Sequence, residues 1–230
     1  HRIGKILASG FIMPIKTSVF ETSTLNGLIK GNLDNKTIHF KGDFNINTLN
    51  IPNLNPISNS TFNLKGITSD KGTSFEGILK NDLATLDINY EDKDNAFDIK
   101  IQKLLLNNKY LRLKYPVSLY AGGKLYYNID KKLLKLNLKA SNLRAYRWDF
   151  SMGLLKGTLD FKKQNPGALD YALYGKQSIK GQIVFSHNIF TKAQISNFTL
   201  NYKSYKAKVN GFLEAYFKPM LIEGSLIVSD

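Results

Sequence analysis

Residues able to do chemistry are scarce in this sequence, and their spacings fit none of the familiar reactions. Cysteine is absent, which removes disulfides, thiol nucleophiles and thiolate metal ligands. The three histidines, His1, His39 and His187, stand far apart, and without thiols they form no metal-ligand signature. Gly122-Gly123-Lys124 has the end of a phosphate loop, yet that loop needs Gly where Ser118 stands and Ser or Thr where Leu125 stands. Asp92 and Asp94 open like a calcium loop, but Ala96, Phe97 and Lys103 occupy the positions of an oxygen ligand, the glycine and the glutamate; a solvated hairpin turn fits better. Serine and aspartate are plentiful without a nucleophile-elbow or triad spacing. The sequence predicts no enzymatic reaction, no cofactor and no metal.

One basic-aromatic stretch stands apart. On a single strand, Arg144, Tyr146, Trp148 and Phe150 would share a face and Arg147 would point the other way, beside Ala145 and Asp149. Two uses fit it. Arg144 and Arg147 could hold a lipid phosphate beside an interfacial Trp148, or Trp148 could be a core residue flanked by arginines that bury only their stems. The pattern favours the second.

Net charge is +14, which invites a polyanion as partner. The lysines are nevertheless spread singly on alternate positions, as at Lys135 and Lys139 or Lys206 and Lys208, with no run of five basic residues. The joint abundance of Asn, Ile and Lys is what an AT-rich genome produces without selection for binding. Nucleic acid is therefore not expected as a partner, and a basic surface that docks on anionic membranes or nucleic acid is the weakest of three functional readings.

The elements that carry these residues are strands. In the stretch 25–47, Leu25, Gly27, Ile29, Gly31 and Leu33 alternate with polar residues, Asp34 and Asn35 turn, and Ile38, Phe40, Gly42, Phe44 and Ile46 alternate again. Period two on both sides of a turn is a hairpin with one apolar face. The same pattern recurs at Leu125, Tyr127 and Ile129, a turn at Asp130 to Lys132, then Leu134, Leu136, Leu138 and Ala140, and again at Ile179, Gly181, Ile183 and Phe185. Roughly a dozen such strands are expected. Pro52 and Pro56 make 49–60 an irregular or edge connection. Asn165 as cap, Pro166 as first residue and Gly175 as stop predict one short helix over Pro166 to Tyr174.

With 230 residues, 43% of them hydrophobic, the chain can bury a sizeable core. No apolar run approaches the roughly 20 residues of a membrane span; the longest, Ile3 to Ile15, is broken by Lys5 and Pro14 among others. No clean linker appears, so residues 1–230 read as a single elongated all-β, antiparallel domain, either a long curled sheet or a sandwich. The start at His1 suggests a piece of a longer envelope protein. One short helix cannot cover so many strands, so the apolar face must meet another sheet, close on itself, or shelter an apolar ligand. Nine-residue strands stand about 30 Å tall, enough to shield acyl chains. Glycines on the apolar rows themselves, such as Gly27, Gly31 and Gly42, favour curvature over dense packing.

The recurring unit of Gly, any residue, an aliphatic and a polar residue opening a strand, as in Gly31-Asn-Leu-Asp, Gly77-Ile-Leu-Lys, Gly157-Thr-Leu-Asp and Gly181-Gln-Ile-Val, resembles the repeats of the bacterial AsmA-like family, which includes TamB. The resemblance implies a curled β-groove in the periplasm, anchored to the inner membrane by a segment outside this chain. Such a groove passes phospholipid between the bacterial membranes and supports outer-membrane biogenesis, with inner- and outer-membrane proteins as partners. The predicted groove lining is Ile29, Leu33, Ile38, Phe40, Phe44 and Ile46 in the first half and Leu125, Tyr127, Leu134, Leu136, Leu138, Ile183 and Phe185 in the second; Arg144, Arg147 and Trp148 are the candidate head-group contacts. Lipopolysaccharide-transport jelly rolls and lipoprotein carriers belong to the same physical class. The rival from another class is a structural or adhesive β-sandwich with a dry core that recognises protein or glycan through its loops.

Overall fold

A computed structural model describes residues 4–9, 13–16, 21–34, 36–51, 54–111, 116–145, 148–175, 177–185, 193–202, 205–217 and 220–229, with side-chain environments over 27–34, 36–51, 54–111, 116–144, 148–175 and 178–185. Two compact units divide the chain, His1–Ser118 and Leu119–Asp230. The first carries β1 (Gly4–Ser9), β2 (Met13–Lys16), β3 (Glu21–Asp34), β4 (Thr37–Asn50), β5 (Ile57–Ser69), β6 (Gly72–Lys80), β7 (Ala84–Glu91) and β8 (Ala96–Asn107). Starting at the boundary, the second carries β9 (Val117–Asn128), β10 (Leu133–Ala145), β11 (Trp148–Asp160), β12 (Gly167–Gly175), β13 (Gln177–Phe185), β14 (Ala193–Tyr202), β15 (Tyr205–Phe217) and β16 (Met220–Ser229).

All the described ladders are antiparallel and nearly all join neighbours in sequence, as expected of strands linked by short turns. In the first unit the order is β1-β3-β4-β5-β6-β7-β8, and β2 also pairs with β3. β1 lies along Leu28 to Leu33 and β2 along Glu21 to Leu25, so the two share one edge of β3. In the second unit the order runs from β9 to β16 without a crossover. Each unit's described strands form one open sheet, and none forms a second sheet across from it, which separates the fold from a two-sheet sandwich. Among the described residues no helix is long and apolar enough to cross a membrane.

The first hairpin follows the sequence closely. Asp34 pairs with Thr37, leaving a two-residue loop in which Lys36 has φ +68°, the left-handed backbone that such tight turns use. The segment Pro166 to Tyr174 does not form the predicted helix; Gly167–Gly175 is strand β12, paired with β11 on one side and β13 on the other. Its capping residues are real helix signals, but nine residues hold a helix weakly without tertiary support. Two flanking ladders outweigh them, and Leu169, Tyr171 and Leu173 also satisfy period two. Residues 193–202, whose alternation breaks near Asn197, form one strand with a register shift against β13. Leu111 forms an isolated bridge with Leu54; the residues that follow, 112–115, lie outside the described ones.

Burial is concentrated at one end of the first unit. Ile57, Leu83, Ala84 and Tyr110 form its buried cluster, with Leu49, Leu54, Leu86, Leu104 and others packed around it. Alternation breaks twice to supply these side chains. Asn59 has φ +56°, so Ile57 and Ser60, three apart, are both buried. A register shift between β7 and β8 brings the half-buried Ile101 and Leu104, also three apart, onto one face.

Of the stretch 49–60 expected to be an irregular or edge connection, 49–50 end β4 and 57–60 begin β5; residues 54–56 close this end like a lid. Asn55 donates its backbone N–H to the Tyr110 carbonyl at 2.7 Å and its side-chain amide to the Lys109 carbonyl at 2.7 Å. Asn81 donates to the Ser60 hydroxyl at 3.1 Å and accepts from the Ala84 N–H at 2.7 Å, so this buried serine is satisfied.

Candidate functional site

Register across the first unit assembles three rows on the apolar face. One row runs Gly31, Phe40, Gly66, Phe75, Tyr90 and Phe97; the next Ile29, Gly42, Leu64, Gly77, Ile88 and Ile99; the third Gly27, Phe44, Phe62, Leu79, Leu86 and Ile101. Glycines and rings alternate between strands, and the rings lie down over the glycines. A Cβ on Gly42 would stand 2.6 Å from Phe44 Cε2, one on Gly66 2.6 Å from Phe40 Cζ, and one on Gly77 2.7 Å from Phe62 Cε2. The glycines on this face thus make room for rings packed flat against the sheet. Phe75, Tyr90 and Phe97 complete an aromatic cluster, with centroids 4.9 to 6.3 Å apart.

The predicted lining residues fall where period two puts them. Ile29, Leu33, Ile38, Phe40, Phe44 and Ile46 share this face of β3 and β4. In the second unit, Leu134 is followed across the sheet by Leu159, Gly167 and Phe185, and Leu136 by Gly157, Leu169 and Ile183. Leu138 continues to Leu155 and Tyr171. Leu125 and Tyr127 alternate on β9, the neighbour of β10. Phe44 is buried and Leu33 is 37% exposed; the others are half-buried. Tyr171 lies against Gly181, its Oη 2.8 Å from where a Cβ would stand, and burial pushes its phenol pKa up to about 12.

The candidate head-group residues do not share a strand. Arg144 is the last residue but one of β10 and Trp148 begins β11, paired Arg144 to Asp149 and Ala145 to Trp148. Arg144 Nε lies 3.6 Å from Asp149 Oδ2, with both side chains exposed. Trp148 is 39% exposed, not core, and its ring stacks on that of the buried Phe150 at 6.1 Å. Arg147 and Tyr146 lie outside the described residues, as do His1 and His187.

Asp92 and Asp94 sit in the turn between β7 and β8. The Tyr90 hydroxyl lies 3.2 Å from Asp92 Oδ1 and 3.3 Å from Asn95 Oδ1, the geometry of a pinned hairpin turn. Among the described residues no group of three or more His, Cys, Asp or Glu could hold a metal ion. Lys109, beside the buried cluster, has its pKa raised by the Tyr110 hydroxyl first and Asp82 second. This is an exposed structural contact.

A cavity of about 1210 Å³ was not foreseen. Its lining takes three consecutive residues from each of β3 to β7, centred on Gly31, Phe40, Gly66, Phe75 and Tyr90. The flanking residues of each triplet point away from the apolar face. The cavity is therefore a trench on the polar face, floored by backbone. One wall is Lys30, Lys41, Lys65, Glu76 and Asn89; the other is Asn32, His39, Ile67, Ser74 and Glu91. Phe40 is the one predicted lining residue among them. The signal that could have found the trench is arithmetic: Lys30 and Lys41 are equidistant from the hairpin turn, hence direct cross-strand partners.

Comparison with known proteins finds no matching family model, no matching curated protein and no matching solved structure.

Proposed function

We propose that the apolar faces of the two units shelter the acyl chains of phospholipid, or a similar elongated apolar ligand, and that the protein carries such ligands without performing a reaction. One observation carries this reading. Most Ile, Leu, Phe and Tyr of these rows, Phe44, Leu159 and Leu169 apart, remain half-buried although every described strand of each unit belongs to a single sheet and the described residues include no helix to cover them. A sheet with one apolar face must cover it. Rings lying flat on glycines make a low apolar surface, which suits a flexible acyl chain better than the erect, interdigitating side chains of a sandwich core. The resemblance to AsmA-like repeats supports a periplasmic setting, an anchor in the inner membrane outside this chain, and traffic toward the outer membrane with membrane proteins at either end.

The test is what the purified chain carries. Native mass spectrometry and solvent extraction are expected to release phospholipid in near-stoichiometric amount from protein expressed in a bacterium with two membranes. Phe40→Asp and Leu136→Asp are each expected to lower the lipid carried while leaving a folded, soluble sheet by circular dichroism. Protein that emerges lipid-free, or variants that unfold globally as a dry core would, overturns the proposal.

A further inference from the structure

One end of the second unit's sheet gathers aromatic and basic residues that the apolar rows do not account for. We infer that this end docks on the surface of an anionic lipid bilayer, with Trp148 entering the interface and the cations around it meeting lipid phosphates. Docking here is separable from the carriage of lipid on the apolar face.

Register places Trp148. Leu159, Gly157, Leu155 and Gly153 of β11 lie on the apolar face, paired with Leu134, Leu136, Leu138 and Ala140. Unbroken period two would send Phe150 and Trp148 to the opposite face. A bulge intervenes: Met152 pairs with Tyr174 and Phe150 with Gly175, so Ser151 is extra. The Ser151 hydroxyl donates to the Tyr174 carbonyl at 3.0 Å, which holds the bulge. Gly175 shares the apolar face with Tyr171 and Leu173, so Phe150 and then Trp148 rejoin that face at its end. Phe150 is buried beneath the exposed Trp148 ring. The first unit covers its own bulged end with residues 54–56; among the described residues of the second unit no segment does so. On the other face, Met152 is 43% exposed, and its partner Tyr174 carries Lys180 Nζ 5.3 Å from the ring centroid. A partner laid against one face would leave one of these two apolar groups in water, whereas a bilayer surface receives both.

Composition at the two ends of this unit separates them. Ala145 pairs with Trp148, Phe150 with Gly175, Gln177 with Tyr202 and Tyr202 with Tyr205, so the ends of β10 to β15 lie side by side. Across 143–149, 174–178 and 201–206 the sequence holds Tyr146, Trp148, Tyr174, Tyr202 and Tyr205, and sets Arg144, Arg147, Lys176, Lys203 and Lys206 against Asp149 alone. The opposite strand ends and their connections, 128–133, 160–167, 185–193 and 217–220, hold Phe but no Trp or Tyr. Trp and Tyr combine an apolar ring with a polar tip and concentrate where bilayer meets water, and cations beside them are drawn to anionic head groups. Arg144 is exposed, and its pair with Asp149, at 3.6 Å and equally open to solvent, is of the weak surface kind that a lipid phosphate can displace.

Trp148 is the only tryptophan of the chain, so its emission reports on this end alone. The full chain is expected to float with vesicles of mixed phosphatidylcholine and phosphatidylglycerol at least about tenfold more strongly than with phosphatidylcholine alone, and less so as salt is raised. Trp148 emission is expected to move to shorter wavelength on these vesicles and to be quenched by brominated acyl chains. Arg144→Ser is expected to weaken flotation roughly fivefold, and Arg144→Ser/Trp148→Ser at least about tenfold, both with an unchanged far-ultraviolet spectrum. Lys162→Ser, at the opposite end, leaves flotation intact. No flotation with anionic vesicles, flotation that leaves Trp148 emission unmoved, or equal losses from Lys162→Ser and Arg144→Ser overturns the inference. So does an equal emission shift with an oligothymidylate, or with a monomeric short-chain phosphatidylglycerol, which offers no surface. Lipid extracted from the purified chain is read separately: protein that docks yet emerges lipid-free loses the carriage of lipid and keeps the docking end, and the converse loses docking alone.

Discussion

The two ends of the first unit's sheet solve the same problem in different ways. At one end the alternation breaks at Asn59 and at the β7–β8 register shift, Leu54 packs against the cluster of Ile57, Leu83 and Tyr110, and Asn55 is tied down by its hydrogen bonds. Ile57 is 1% exposed there. Toward the other end, strict alternation holds from Ile38 to Phe44 and from Phe62 to Thr68, no described segment forms a lid, and the rings of Phe40 and Phe62 lie flat on Gly66 and Gly77 while staying half-open. In the first unit the departure from period two lets residues three apart turn toward one core, while most of the regular rows stay half-open; in the second unit Leu159 and Leu169 are buried on regular rows.

The largest contrast expected is between matched truncations. Ile57→Ala removes side-chain atoms from the closed end and is expected to destabilise by about 3 kcal/mol, within the usual range for buried aliphatics. Ile88→Ala, on the open rows, is expected to cost about 1 kcal/mol, since much of the side chain already meets solvent. Urea denaturation of both variants measures the difference, and equal losses would mean that the open face is covered after all.

Next in size is the fit between glycines and rings. Gly42→Ala puts a methyl group onto Phe44 and close to the Leu64 side chain, and overpacking of this kind costs roughly 1–3 kcal/mol. The loss is expected to shrink in a Phe44→Leu background, where the ring is gone, and a double-mutant cycle reads that coupling directly. Additive losses would show that Phe44 does not need the glycine.

The lid is expected to contribute less per residue. Asn55→Ala deletes the side-chain hydrogen bond to the Lys109 carbonyl and is expected to destabilise by about 1 kcal/mol. Faster hydrogen exchange is expected at Tyr110 and Leu111, whose N–H groups bond to the Asn107 carbonyl beneath the lid, and not at Tyr90 or Phe97. Equal acceleration at both ends would make the lid and the open rows one cooperative unit.

Much of this contrast was legible before the structure, but unevenly. The open rows could be read because period two is a local pattern, and Leu25 to Ile46 announces both strands and their turn. Pro52 and Pro56 likewise marked an irregular connection. The closed end could not be read as a core, because Asn55 meets Lys109 and Tyr110 far along the chain, and because the apolar spacing of three at Ile101 and Leu104 is as compatible with a helix as with a bulge. Helix signals at Asn165, Pro166 and Gly175 misled for the related reason that β11 and β13, not the segment itself, decide its state. Gly123 shows the same limit. Its φ of +147° and its place over the backbone of Asn137 and Leu138 explain the glycine, but the sequence placed it at a hairpin's start, not within β9. The lysine row follows from the hairpin register alone, since Lys30 and Lys41 are equidistant from the turn, but along the sequence each lysine stands singly.

The smallest effect expected has the opposite sign. Lys41 stands between Lys30 and Lys65 in register, and all three are exposed. Lys41→Thr removes the middle charge and substitutes a residue well suited to strands, so it is expected to raise stability by roughly 0.2–0.5 kcal/mol at low salt. At about 1 M salt, where the Debye length falls to about 3 Å, most of that gain should disappear, leaving the strand propensity alone. Ile88→Ala, an apolar truncation, should show no such loss of effect with salt. A gain for Lys41→Thr that persists at high salt would remove repulsion from the account of the lysine row.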